Sequence, residues 1–120
     1  MSGDHANWRQ VLGLNVRLAR HFWTRLVGLL GRSAIGHDEA LLLMPCSNVH
    51  TFFMRFPIDV VFLSKDGQIL AIHPAVRPWR ASAARHAHAC LEMASGRARL
   101  AGLMVGQCIP ELAAAQLVRS

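Results

Sequence analysis

The side chains with the clearest potential for chemistry lie in the stretch CSNVHTFFMRFPID, residues 46–59. On an extended strand Asn48 and His50 point to the same side, because side chains alternate along a strand. Asp59 stands in an apolar sequence, where an ionised carboxylate is costly unless it is paired. A histidine and an aspartate in contact form a general base. The stretch therefore indicates a polar site or a set of structural groups. In the structural alternative Asn48 and His50 satisfy buried backbone atoms at a sheet corner, and Asp59 forms a salt bridge or caps a turn.

A second candidate follows in the loop Arg77-Pro78-Trp79-Arg80. A tryptophan between arginines stacks on a base or a sugar ring and holds an anionic group beside it; alternatively, it folds back over the sheet. The leading hypothesis is a non-catalytic binding module that takes an anionic or sugar-like ligand, or a carboxylate of a protein partner, through forked hydrogen bonds. The proposed binding surface has six members: Asn48, His50, Arg55, Asp59, Trp79 and Arg80.

The main alternative to a binding module is a small hydrolase. It would use Asp59, His50 or Glu92 as acid–base groups. Asp59 and Glu92 would then face each other across a sheet, as paired carboxylates do in glycoside hydrolysis. Glu92 is also a candidate cap for the helix that follows it, because a carboxylate accepts the free N–H groups of a first helical turn.

His86, His88 and Cys90 alternate along the chain, so all three would project from one strand face and form a possible metal site. A half-buried strand face is the stronger expectation, and the sequence predicts neither a metal nor another cofactor. With Cys46 and Cys108, the chain has three widely spaced cysteines and no C-x-x-C pair. Such a set is a poor disulfide framework, which predicts reduced, mostly buried thiols.

Composition restricts the class of protein further. The chain has 120 residues, of which 52% are hydrophobic, so it is long enough for one domain and too apolar for global disorder. Its net charge of +6 favours anionic partners, but nucleic acid is not favoured because no Lys-rich tract or known module is present. No apolar run reaches the ~18 residues of a membrane span. The N-terminus lacks a signal-peptide pattern, which predicts a cytoplasmic protein.

The elements that must position these residues follow from the spacing of apolar side chains. Leu12–Ala19 alternates with a period of two and predicts a strand. Residues 21–30 carry apolar side chains at spacings of three and four, which predicts a helix of three turns. Ser64–Gly67 has the chemistry of a hairpin turn. Further strands are expected at 40–44, 46–54, 58–63, 68–73, 87–93 and 107–112, and a short helix at 95–103.

Short connections between successive strands favour antiparallel pairing. The expected fold class is therefore α+β, mainly β: a curled, mostly antiparallel sheet or partly open barrel with one three-turn helix and one short helix. A single compact domain is expected at 11–112, between a flexible N-terminal tail at 1–10 and a C-terminal tail at 113–120.

The chain resembles domain of unknown function 192, a bacterial and archaeal family without an established activity. The matching stretches are GLLGR at 28–32, VHTFFMRFPIDVVFL at 49–63, VRPWR at 76–80 and LEMASG at 91–96, and the resemblance spans roughly residues 12–112. It implies a compact, mainly β fold with a helix packed on it and no particular activity. Many relatives carry a Trp-Met-Lys-Asn-type run where this chain has FMRF at 53–56. The resemblance therefore does not imply a ligand contact that requires a polar side chain at position 56.

Overall fold

The computed structural model of the chain describes residues 8–19, 35–51 and 54–114. Within these ranges the elements are β1 (Trp8–Val11), β2 (Leu14–Ala19), β3 (Glu39–Leu43), β4 (Asn48–His50), β5 (Ile58–Leu63), β6 (Ile69–Val76), β7 (Ala81–Ala83), β8 (Ala89–Ala94), α1 (Arg97–Leu100) and a 3-10 turn (Pro110–Leu112). Six strands form one sheet in the order β1-β2-β3-β8-β5-β6, and β4 pairs with β7 in a second sheet. All described pairs are antiparallel except β2 with β3.

The mainly β, mostly antiparallel prediction is confirmed, whereas the curled sheet or partly open barrel is wrong. The main sheet is open, with β1 at one edge and β6 at the other. The main sheet does not close on itself. One of its faces is covered instead by the small sheet of β4 and β7. The predicted three-turn helix at 21–30 lies outside the described residues. The predicted short helix at 95–103 is reduced to the four residues of α1.

The first strand begins at Trp8, inside the segment 1–10 that was predicted to be a loose tail. Leu12 and Gly13 join β1 to β2, and both have positive φ, at 53° and 79°. This is the geometry of a two-residue hairpin turn. Because leucine rarely adopts it, Leu-Gly gives no hairpin signal. The rest of the two predicted tails, residues 1–7 and 115–120, lies outside the described residues.

The predicted hairpin between β5 and β6 is confirmed. Gly67 has a φ of 87°, which only glycine adopts without strain. A Cβ at Gly67 would also collide with the carbonyl oxygen of Ile109. The strand predicted at 107–112 is wrong: Cys108 makes an isolated bridge to Gln68, and Pro110, which has no N–H, begins the 3-10 turn.

The main sheet separates two hydrophobic layers. Every residue of β5 is buried, and its side chains alternate between the two sides. Val61 packs in the cluster that contains Ala98 of α1, and we refer to this side as the α1 layer. Val60 packs in the cluster that contains Val49 of β4, and this side is the β4–β7 layer. A residue's position along β5 or β8 therefore decides which layer its side chain enters.

Candidate functional site

Asp59 joins two pieces of backbone within the α1 layer. It is 1% exposed and points to the same side of β5 as Val61. Its Oδ1 accepts the N–H of Ala75 at 2.9 Å, and its Oδ2 accepts the N–H of Ala98 at 3.0 Å. Ala98 lies in the first turn of α1, so the carboxylate caps that helix from a neighbouring strand. Asp59 therefore acts as a structural carboxylate that satisfies backbone N–H groups, and one of these groups belongs to a helix.

The strand opposite Asp59 is distorted by a bulge, and the Asp59 carboxylate accepts an N–H group of that bulge. Ile58 pairs with Val76 and Val60 pairs with His73, so the two residues at 74–75 of β6 stand opposite Asp59 alone. Such a bulge leaves the N–H of its extra residues outside the ladder. Ala75 has a φ of 50°, and its N–H turns to the Asp59 carboxylate instead of a strand.

Glu92 and Asp59 lie on opposite faces of the main sheet. The register pairs Asp59 with Met93 and Val60 with Glu92. The side chain of Glu92 therefore shares the side of Val60 and is buried in the β4–β7 layer. Two expectations are corrected by this geometry: the carboxylates do not face each other across the sheet, and Asp59 rather than Glu92 caps α1.

Thr51 organises the loop that follows β6. It is buried, its Oγ1 donates to the carbonyl oxygen of Arg77 at 2.6 Å, and the same oxygen accepts the N–H of Arg80 at 2.9 Å. Its backbone N–H donates to the Arg80 carbonyl at 2.8 Å, and its carbonyl accepts the Trp79 N–H at 3.0 Å. These four bonds hold Trp79 at a φ of 65° with 55% of its surface exposed.

The small sheet places His50 beside this loop. His50 pairs with Ala81, the residue directly after Arg80. Asn48 lies on the same side of β4 as His50, opposite the buried Val49. Asn48 is exposed and His50 is half-buried. We define the Trp79 surface by His50, Arg77, Trp79 and Arg80, which lie where β4 ends and β7 begins.

The six residues predicted to form one binding surface are therefore divided. Asn48 lies on β4 next to the Trp79 surface, and Arg55 is exposed in the bend between β4 and β5. Asp59 is separated from them, because it enters the α1 layer while β4 and β7 cover the other face. Both bonds of its carboxylate described in the structure go to backbone N–H groups, not to His50 or Arg55.

The neighbourhood of the Trp79 surface is rich in positive charge. Segments 40–58 and 67–91, which supply β4, β7 and the loop before β7, contain no aspartate or glutamate. They contain four exposed arginines, Arg55, Arg77, Arg80 and Arg85. The exposed carboxylates among the described residues lie in other parts of the chain: Asp38, Asp66 and Glu111. This part of the described surface therefore carries more positive than negative side chains.

A groove of about 620 Å³ lies beside Asp59, between β6 and the segment around α1. Ile72, Leu103 and Met104 give it mostly apolar walls, and Arg99 is the one cationic residue among the described residues that line it. Its volume is in the range of small-molecule sites. This groove could not be predicted from the sequence, because its walls come from segments that are distant along the chain.

The alternating set at 86–90 does not form one strand face. His86 stands in a turn at a φ of 65°, and β8 begins only at Ala89. Among the residues that the structure describes, no three His, Cys, Asp or Glu side chains are grouped to hold a metal ion. The same part of the chain contains no helix of the length and apolarity that crossing a membrane requires.

Comparisons with known proteins identify relatives but no activity. A family model described as "Uncharacterized ACR" matches residues 5–110. The fold is similar to that of a proposed transcription regulator from Sinorhizobium meliloti 1021, with a TM-score of 0.69, 25% identity and 78% of each chain covered. A protein of unknown function from Novosphingobium aromaticivorans gives a TM-score of 0.68 and 23% identity, over 78% of this chain and 71% of the other. No curated protein matches the chain.

Proposed function

We propose that this chain, which belongs to the DUF192 family, is a non-catalytic binding module that holds an anionic, sugar-like ligand at the Trp79 surface. The observation that carries the proposal is the conformation of Trp79. Positive φ costs a residue with a Cβ roughly 1–2 kcal/mol, yet the bonds to Thr51 hold this indole there and leave it 55% exposed. Strained backbone clusters at ligand-binding sites, where the surrounding structure maintains it. An exposed ring held in this way is ready to stack on a ligand.

Each member of the Trp79 surface supplies a different interaction in this proposal. The face of the Trp79 ring stacks on a sugar or another planar group. Arg77 and Arg80 offer planar guanidinium groups that bind a carboxylate, sulfate or phosphate with two parallel hydrogen bonds. His50 and Asn48 add neutral polar groups at the side of the site. The absence of acidic residues from the flanking segments removes a source of repulsion for an anion.

The hydrolase alternative loses its support in this geometry. Asp59 and Glu92 enter opposite layers, and the two Asp59 oxygens bind backbone N–H groups of Ala75 and Ala98. His50 lies on the small sheet, so the three groups do not converge on one reacting atom. Asp59 is therefore omitted from the proposed binding surface, and Arg55 remains a peripheral candidate. The cytoplasmic location stays a prediction from the sequence.

The proposal is tested by titrating the full chain with two anionic probes, a heparin tetrasaccharide and an oligogalacturonate, and with neutral maltotetraose. Isothermal titration calorimetry at low ionic strength should detect an anionic probe and not maltotetraose. Trp79→Ala should weaken that binding by about 5- to 150-fold, since stacking on an aromatic side chain contributes ~1–3 kcal/mol. Arg80→Gln should weaken it as well. Trp79→Phe, which keeps an aromatic face, should lose less than Trp79→Ala.

Arg99→Gln is the matched control, because Arg99 is an exposed arginine in the α1 groove, away from the Trp79 surface. It should bind the probe as the unaltered chain does. Equal losses for Arg99→Gln and Arg80→Gln would show that attraction to net charge explains the binding, and the proposal would be wrong. Failure of both anionic probes to bind would also refute it.

A further inference from the structure

Cys46 and Cys90 lie side by side although 44 positions separate them in the sequence. Their Sγ atoms are 2.9 Å apart, and the Cys90 Sγ is 3.4 Å from the Cys46 carbonyl oxygen. The backbone fixes both residues. The Cys46 N–H donates to the carbonyl of His88 at 2.8 Å, and Cys90 pairs with Leu43 of β3 and Phe62 of β5.

We propose that Cys46 and Cys90 are a site of disulfide formation, closed by a low-molecular-weight disulfide such as oxidised glutathione. The two sulfur atoms need to approach by less than about 1 Å, since a disulfide bond is about 2.05 Å long. Cys46 is half-buried, whereas Cys90 is fully buried. One partner is therefore accessible to a reagent, and the other is shielded but already positioned to react with the first. This site is independent of the Trp79 surface and of its proposed ligand.

The reaction proceeds by two thiol–disulfide exchanges. The Cys46 thiolate attacks one sulfur of oxidised glutathione, forms a mixed disulfide and releases the first glutathione as a thiolate. The Cys90 thiol then loses its proton and attacks the Cys46 sulfur, which breaks the mixed disulfide and releases the second glutathione. Two electrons pass from the protein to the oxidant, and the two protein protons end on the two released glutathione molecules.

The experiment incubates the full chain with oxidised glutathione at mildly alkaline pH and measures intact mass and titratable thiols. The chain has three cysteines. Peptide mapping of the unaltered chain should find Cys46 linked to Cys90, while the exposed Cys108 reacts separately with oxidised glutathione. In a Cys108→Ser chain, from which the exposed third cysteine is removed, the mass should fall by two hydrogen atoms without a retained glutathione. Peptide mapping of the unaltered chain does not depend on any substitution. It therefore still tests for the disulfide between residues 46 and 90 if a cysteine variant folds poorly.

Single replacements in the Cys108→Ser background separate the two steps. Cys90→Ser should retain one glutathione on Cys46, because the second step has no attacking thiol. Cys46→Ser should retain little glutathione, because Cys90 is buried. The proposal is overturned if the unaltered chain keeps both thiols titratable, or if its only disulfide is a Cys108–Cys108 link between chains. It is also overturned if Cys46 keeps its glutathione while Cys90 remains a thiol.

Discussion

Replacing Asp59 with alanine should destabilise the fold by removing the acceptor for two N–H groups at once. Ala98 is 2% exposed, so its N–H loses its partner in a place that water does not reach. A buried donor left in this state costs about 1–3 kcal/mol. Ala75 is exposed, and water can replace the carboxylate there, so this second bond contributes about 1 kcal/mol. The free energy of unfolding should therefore fall by about 2–4 kcal/mol in Asp59→Ala.

Asp59→Asn distinguishes the loss of charge from the loss of the acceptor. Its amide oxygen can still accept the Ala98 N–H, while its NH₂ group faces the Ala75 N–H, which water can satisfy. The expected loss is about 1 kcal/mol. Asp66→Asn is the matched control, because Asp66 is exposed in the β5–β6 turn and Asn-Gly suits a hairpin turn as well as Asp-Gly does.

Guanidinium chloride unfolding monitored by circular dichroism gives these free energies, and hydrogen exchange by NMR assigns them to individual amides. Exchange at Ala75 and Ala98 should accelerate in Asp59→Ala more than exchange at the centre of β5. The expected order of destabilisation is Asp59→Ala, then Asp59→Asn, then Asp66→Asn. An Asp59→Ala chain within about 0.5 kcal/mol of the unaltered protein, the usual range of surface changes, would refute the capping role.

Two further predictions concern positions where local geometry fixes the outcome. Thr51→Val removes the hydroxyl at nearly constant volume and should cost about 1–3 kcal/mol in urea unfolding, because the Arg80 N–H loses its side-chain acceptor. Thr51→Ser, which keeps the hydroxyl, should lose less, and equal losses would contradict the role of the hydroxyl. Gly67→Ala should lower the melting temperature more than Gly102→Ala. Both glycines have positive φ, but only Gly67 would place its Cβ against the carbonyl of Ile109, whereas nothing lies within 4 Å at Gly102. Equal shifts would show that the clash is relieved by movement of the chain.

Features that depend on a few neighbouring residues could be predicted from the sequence. The apolar run at 58–63 and the Asp-Gly pair at 66–67 predicted β5 and the hairpin that follows it, and both are present. The alternation of side chains along a strand correctly predicted that Asn48 and His50 point to one side of β4 and the buried Val49 to the other. In each case burial and backbone conformation are decided within one strand or one turn, so the local pattern contains the required information.

Features that depend on pairing between distant segments could not be predicted in the same way. The register of β5 with β8 decides which face of the sheet Asp59 and Glu92 occupy. A shift of the pairing by one residue would place the two carboxylates on the same face. The bonds from Thr51 reach residues 26 and 29 positions away, and the contact of Cys46 with Cys90 depends on the register of β8. The Trp79 surface and the cysteine pair are therefore products of tertiary structure, although each of their residues is visible in the sequence.

Because β5 is buried on both sides, its odd and even positions provide two independent probes of the molecule. A smaller side chain at Val61 creates space under α1 and should be sensed first in the groove beside Asp59. A smaller side chain at Val60 creates space under Val49 instead and should loosen the support of the exposed indole at Trp79. Substitutions at two adjacent positions of one strand should thus loosen the packing of either layer separately.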